Sequence, residues 1–322
     1  MNQLNTTLES RIAPELVKIR RDVFPSLYQA FLHDDDPLSD EQDWRNVFIY
    51  QWEKDEDHWG YALLDKGQVI GMMAMAFRTR WIDERPHKFC NLHTWWVHEE
   101  HRGRSVAMLR PLLRLDGYTV THFTPCDRIR ALTQRLGFIE LDLQKKLLLP
   151  LWGRRIKRPA PGQFCFDDAI DSSELAAADR TILEDHRPYR VGHLLIRDGG
   201  EYCYVLYTHV VRYRVNYCHI HYVSNREIYA QHEPAVRSEL MNRHRVHFVV
   251  VDRRLFREFA FTRSLNFWAP AHGVYKPAEG ISEDQVDHLY SDVVMLRLAT
   301  MPHVSFELKQ MVRRWLKPGS RE

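Results

Sequence analysis

Apolar positions along the chain alternate between two periods, one of helices and one of strands. Leu16, Ile19, Val23, Leu27 and Phe31 recur at helical spacing and predict an opening helix over residues 14–31, with Pro14 in its first turn and Pro25 interrupting it. The acidic run HDDDPLSDEQD at 33–43 reads as a solvated loop. Residues 61–64 and 69–77 then read as two strands around the turn Asp65, Lys66, Gly67, and 89–97 as a third. A helix over 103–115 comes next, with Val106, Leu109, Leu112 and Leu113 on one face. A strand at 118–123, a helix at 127–136 and a long strand at 138–149 complete a mixed α/β pattern.

The composition changes abruptly at WGRRIKRPAPG, residues 152–162, which reads as a basic Pro/Gly linker. It predicts two domains, 1–150 and 171–322, joined through 151–170. Beyond it the first pattern repeats. A helix at 173–185, a hairpin of 191–197 and 202–211 around Asp198, Gly199 and Gly200, a strand at 217–223, a helix at 233–243 and a strand at 246–251 come in the same order. Ala260, Thr262, Leu265 and Phe267 repeat the spacing of Ala131, Thr133, Leu136 and Phe138. The end reads as a strand over 287–298 and an amphipathic helix over 306–316.

Composition narrows the class. Apolar residues at 44% and charged residues at 27% are ordinary for a globular protein, and no apolar run approaches a membrane span. The N-terminus lacks the basic and apolar regions of a secretory signal, which predicts a cytoplasmic protein. A net charge of +2 predicts no electrostatic nucleic-acid binding by the chain as a whole. Five cysteines without metal-ligand spacing predict reduced thiols. His219 and His221 share one strand face, but without carboxylate or cysteine partners for them no metal is expected.

The chemistry concentrates at 91–115, NLHTWWVHEEHRGRSVAMLRPLLRL, a strand, a charged turn and a helix. The first N–H groups of a helix lack partners within it, and its dipole is positive there, so the junction suits an anion. Gly103, Ser105 and Ala107 leave it bare, and Arg102 and Arg104 add charge.

HRGRSVAML resembles the acyl-CoA loop of the GCN5-related N-acetyltransferases (GNAT). Arg102 and Ala107 match the ends of its pattern, and Ser105 replaces the middle glycine. ALTQRLGFIE, residues 131–140, resembles that family's next motif, with Thr133 where the family often carries an acidic tyrosine. The resemblance covers residues 45–149. It implies two tandem GNAT-like mixed-sheet α/β domains and acyl transfer from acetyl-CoA or another acyl-CoA to an amine of a small molecule or other acceptor.

The resemblance also implies roles. Trp96, Val97, His98, Arg102, Gly103, Arg104, Ser105, Val106 and Ala107 would hold the cofactor, with the pyrophosphate on the N–H groups of 103–107 and a backbone N–H near Val97 as oxyanion donor. His93, Glu99 and Glu100 are the candidate bases, and Trp95 an acceptor contact. With Thr133 a poor acid, Cys126, His122, Tyr118 or water would protonate the leaving thiolate. In the second copy NREIYAQH, residues 225–232, offers no glycine, so its cofactor site is expected to be lost and the cleft between the halves to hold the acceptor. Two rival readings are an aminoacyl-tRNA-dependent peptidyltransferase-like enzyme and a non-catalytic CoA-responsive module.

Overall fold

A computed structural model describes residues 14–36, 39–53, 55–212, 215–267 and 273–299. The chain divides into two compact units, residues 1–77 with 92–116 and residues 78–91 with 117–322.

The first unit opens with a strand, β1 (Glu15–Lys18), where the apolar spacing predicts a helix. Leu16 and Val17 pair with Leu63 and Ala62 of β2 (Gly60–Asp65), and a sheet edge outweighs the helical spacing of these few residues. Helix begins only at Phe24, as α1 (Phe24–Leu27), a π turn (Tyr28–Leu32) and α2 (His33–Asp35). Pro25 lies in that first turn, where its missing N–H leaves no bond unmade, so it starts a helix instead of interrupting one. Part of the acidic run is also helical. The Asp40 carboxylate accepts from Asp43 N (2.8 Å), and the Asp43 carboxylate accepts from Asp40 N (3.3 Å), a capping box that starts α3 (Glu41–Phe48). β2 pairs antiparallel with β3 (Gln68–Ile82) as predicted, and Trp44 and Phe48 of α3 are buried, as are Met72 to Phe77 of β3.

In the second unit β3 leads to β4 (Arg85–Val97) through Asp83 and Glu84, with φ of 49° and 60°. Lys88 to Asn91 of β4 pair in parallel with Tyr118 to Thr121 of β5 (Tyr118–His122). Helix α5 (Asp127–Arg135) comes next, as predicted. The expected long strand at 138–149 is in fact two strands in different sheets. After β6 (Ile139–Leu141) the Asp142 carboxylate accepts from Gln144 N (2.9 Å), an Asx turn that redirects the chain into β7 (Lys145–Leu148). β7 pairs with β12 (Phe248–Asp252) and β13 (Ser264–Phe267). In return β14 (Gly273–Lys276) inserts between β5 and β6. Residues on either side of the 152–162 stretch thus exchange strands.

The remaining elements are β8 (Phe164–Phe166), α6 (Ala177–His186), β9 (Gly192–Asp198), β10 (Glu201–Arg212), β11 (Val215–Val223), α7 (Arg226–His244) and α8 (Asp292–Met295). Two mixed seven-stranded sheets result, in the orders β1-β2-β3-β4-β5-β14-β6 and β13-β7-β12-β11-β10-β9-β8. Helix α4 (Leu109–Leu113) belongs to the first unit.

Three further expectations are corrected. Helix α7 begins at Arg226 and runs through Pro234, because the Asn225 side chain caps Ile228 N (3.0 Å). Residues 260–263 form loop and turn and 264–267 a strand on β7, whereas 131–135 are helical, so the likeness of 260–267 to 131–138 is one of residues and not of structure. Residues 287–298 form turns and α8, with Asp287 accepting from Leu289 N (3.0 Å). The amphipathic helix expected at 306–316 lies outside the described residues. The core of the second sheet joins Leu148, Val205, Ile220, Tyr229, Val249 and Phe256, and the buried Glu233–Arg237 ion pair (2.5 Å) fastens α7 to the carbonyls of Leu149 and Thr262.

Candidate functional site

Strand β4 loses its ladder to β5 at Asn91–Thr121 but continues to Val97. Three residues past that point Thr94 adopts φ of 45°. A β-branched side chain is strained in this left-handed region, so the surrounding structure must impose it. The change shows in burial. Phe89 to His93 are all buried, whereas Thr94 to Val97 are all half-buried.

Close packing on β3 sets the course of the chain beyond Thr94. A Cβ on Gly71 would lie 2.9 Å from Met108 Cε, 3.1 Å from Val97 Cγ2 and 3.2 Å from the Trp96 carbonyl oxygen, so a side chain here would displace the Met108 methyl and crowd Val97 and Trp96 by a few tenths of an ångström. His98 N donates to the Ile70 carbonyl (2.8 Å). Neighbouring residues of a strand point their N–H groups to opposite edges, so Val97 N–H faces away from β3. Sequence reasoning missed Gly71, whose only signal there is a glycine inside a strand.

The expected helix at 103–115 differs in kind. Residues Glu99–Met108 form a 3₁₀ helix, and only Leu109–Leu113 form α-helix. A 3₁₀ run of this length is uncommon, and it binds each N–H to the carbonyl three residues back, as from His101 N to His98 O (2.9 Å). Gly103 is exposed, and a Cβ there would meet nothing within 4 Å. Ser105 Oγ donates to the Arg102 carbonyl (2.8 Å), Arg102 pairs with Glu99 (2.9 Å), and Arg104 and Ala107 are half-buried. The Val106 side chain lies outside the described residues.

The candidate bases occupy contrasting places. His93 is fully buried, edge-on to Phe48 with ring centroids 5.3 Å apart, and its Nδ1 lies 3.1 Å from Thr94 Oγ1. Glu99 and Glu100 are exposed, with Glu99 held by Arg102. Trp96 stacks on Phe31 at 4.7 Å, and the buried indole N–H of Trp95 has no hydrogen-bond partner among the described residues. Thr133 is fully buried and donates its hydroxyl to the carbonyls of Ile129 and Arg130 (3.0 Å each). His122 is buried and held neutral, its pKa pushed down to about 4 by desolvation, while Cys126 is exposed. In the second copy Ile228 and Tyr229 lie in the first turn of α7 and are buried.

Sequence reasoning also missed Asp292, because 287–298 reads as a strand. Its carboxylate accepts from Asn91 Nδ2 (3.1 Å) and Thr124 Oγ1 (3.2 Å), and Asn91 in turn accepts from Thr121 Oγ1 (3.1 Å) at the last rung of the β4–β5 ladder. Burial raises its pKa to about 6, against the pull of those donors. A carboxyl that holds its proton more tightly folded than unfolded costs stability as pH rises from about 4 to about 6, by roughly 3 kcal/mol. Asp292→Asn keeps an acceptor for Asn91 and does not titrate. Thermal denaturation from pH 4 to 8 is expected to show a flatter profile for the variant and a higher Tm than wild type at pH 7. An unchanged slope would mean that another group carries it.

Residues 15–108 match the model of the Acetyltransferase (GNAT) family. This stretch is a GNAT domain. It belongs to the class of enzymes that transfer an acyl group from an acyl-CoA thioester to an amine. Among curated proteins none matches the chain. The fold is similar to that of solved structures at low identity. A GCN5-related N-acetyltransferase from Anabaena variabilis matches at 10% identity and TM-score 0.53, over 82% of this chain and 72% of that one. A conserved Enterococcus faecalis protein of unknown function matches at 10% identity and TM-score 0.56, over 83% and 73%. The GNAT domain thus sits within a longer chain whose fold is similar to that of such proteins over most of its length. No described helix is long and apolar enough to cross a membrane.

Proposed function

We propose that the chain transfers an acetyl or other acyl group from acyl-CoA to the amine of a small molecule or other acceptor, with the chemistry in the GNAT domain. The observation that carries the reading is the left-handed Thr94 in β4, after the ladder to β5 has ended. Beyond it Val97 N–H turns away from β3, which suits it to donate to the thioester oxygen as charge develops there. The pantetheine amides would then pair with Val97 and with groups on that edge, since His98 N–H is already engaged with Ile70. The side chains of Trp96 and His98, not their amides, would line the path.

In this reading the acceptor nitrogen attacks the thioester carbonyl, a C–N bond forms, the C–S bond breaks and CoA leaves as thiolate. The proton from the amine passes to His93, with the Thr94 hydroxyl as the relay to its buried ring, or through water to Glu99 or Glu100. Trp95 supports acceptor binding through its unpartnered indole N–H. Thr133, with its hydroxyl committed to carbonyls, has no part in protonating the thiolate.

The test is thiol release from acetyl-CoA and longer acyl-CoAs by the full chain, with and without a panel of primary amines. Amine-dependent release is expected, with a rate that rises with pH and a lower kcat for His93→Gln. Tight acyl-CoA binding without transfer to any amine would favour a CoA-responsive module instead.

A further inference from the structure

The sequence offers His219 and His221 as a pair, and the fold adds a third histidine to them. The two lie on the same face of β11, and His288 reaches them from the chain after the 3₁₀ turn Glu283–Gln285. One ring nitrogen from each lies within 4.8 Å of the other two, and the three residues are 0%, 2% and 2% exposed. We propose that His219, His221 and His288 form a binding site for a transition-metal dication, of which zinc is the best fit.

Unspent bonding capacity is the first argument. Both ring nitrogens of His219, Nδ1 of His221 and Nε2 of His288 are buried without a hydrogen-bond partner among the described residues. Buried polar atoms are nearly always satisfied, so an unpartnered nitrogen on each of three neighbouring rings points to a group that accepts one lone pair from each, the second His219 nitrogen carrying the N–H. The second argument is orientation. His221 Nε2 lies 2.8 Å from Thr208 Oγ1, an outer contact that leaves Nδ1 as the ligating atom, and Phe123 packs on the His288 ring at 4.4 Å. Protonation agrees with both. Burial, reinforced by neighbouring positive charge, holds all three rings well below the ordinary histidine range, hence in the neutral form that binds metal.

The donor set selects the ion. Imidazole alone suits zinc, copper, iron or nickel, whereas magnesium and calcium require oxygen ligands. Three protein ligands leave a tetrahedral ion one open position. Metal–nitrogen bonds of about 2.0–2.1 Å place ligand nitrogens roughly 3.4 Å apart, within the 4.8 Å limit that the three rings already meet. Lys145 and Arg254 both pair with the Asp252 carboxylate nearby (4.0 and 2.7 Å), and the positive charge that Lys145 brings to the cluster is a cost to a dication that an anionic fourth ligand such as hydroxide would offset. Because the cluster is buried, the ion enters as the chain folds and its affinity adds to folding stability.

The full chain, stripped with a chelator in denaturant, would be refolded with and without one equivalent of zinc. One zinc per chain by elemental analysis is expected, with a higher Tm than the stripped protein. Refolding with cobalt should give the visible absorption of a tetrahedral site. His219→Gln and His288→Gln should each lose bound metal while keeping native far-UV circular dichroism. A refolded wild type that takes up neither ion overturns the proposal, as would folded variants that keep full occupancy. If neither variant folds, the wild-type stoichiometry and cobalt spectrum still decide between a metal site and a trio of imidazoles bridged by water.

Discussion

Gly103→Glu is expected to abolish acyl-CoA binding while the chain stays folded. Stability and binding separate at this position. Gly103 is exposed, its φ is not left-handed, and a Cβ there meets nothing within 4 Å, so a longer side chain disturbs no neighbour. A pyrophosphate seated on the N–H groups of 103–107, by contrast, would meet both bulk and a like charge. Two unit charges about 4 Å apart near a protein surface repel by about 4 kcal/mol, roughly three orders of magnitude in affinity. The same seat requires the 3₁₀ turns of Glu99–Met108 to open, since their N–H groups are otherwise directed at carbonyls three residues back. Calorimetry with acetyl-CoA measures the first effect, and hydrogen exchange across 99–108 with and without ligand measures the second. Unchanged affinity in a folded Gly103→Glu variant would place the pyrophosphate elsewhere.

The parts of this site that are legible in the sequence are local. Gly103, Ser105, Ala107 and the flanking arginines stand together, and small residues beside positive charge read as an anion site whatever lies around them. The hairpin of β2 and β3 is legible for the same reason, because Lys66 and Gly67 carry its turn at φ of 51° and 80°. Thr94 is not legible. Its left-handed backbone contradicts the preference of a β-branched residue, and such conflicts of local and tertiary demands are expected at functional sites. The histidine cluster is half legible, since two members share a strand and the third arrives from a segment whose apolar spacing reads as strand but which folds as turns and α8. Nor does any Gly or Pro mark the break between β6 and β7; an aspartate side chain makes that turn.

The exchanged strands lead to the other large effect. Residues 1–150 alone are expected not to form a soluble, cooperatively folded domain, although the linker composition suggests a boundary there. In the full chain β14 occupies the place between β5 and β6, with Val274 opposite both His122 and Glu140 and Tyr275 opposite both Thr121 and Ile139. A chain ending at residue 150 leaves the facing N–H and C=O groups of β5 and β6 without partners. It also strips Phe123 and Leu141 of Tyr275, Val286 and Val293, with which they share a core. At its other end β7 would hang free, for both of its neighbours, β12 and β13, lie beyond the cut. Unpaired edges of this kind template aggregation, and the lost burial is large against the roughly 5–15 kcal/mol that stabilises a typical protein. Insoluble expression, or a soluble fragment with no cooperative melting transition, is the expected outcome. Adding the missing residues 151–322 as a separate chain should restore solubility if strand exchange is the cause. A fragment 1–150 that melts cooperatively on its own and binds acyl-CoA would show that the GNAT domain closes its sheet without β14.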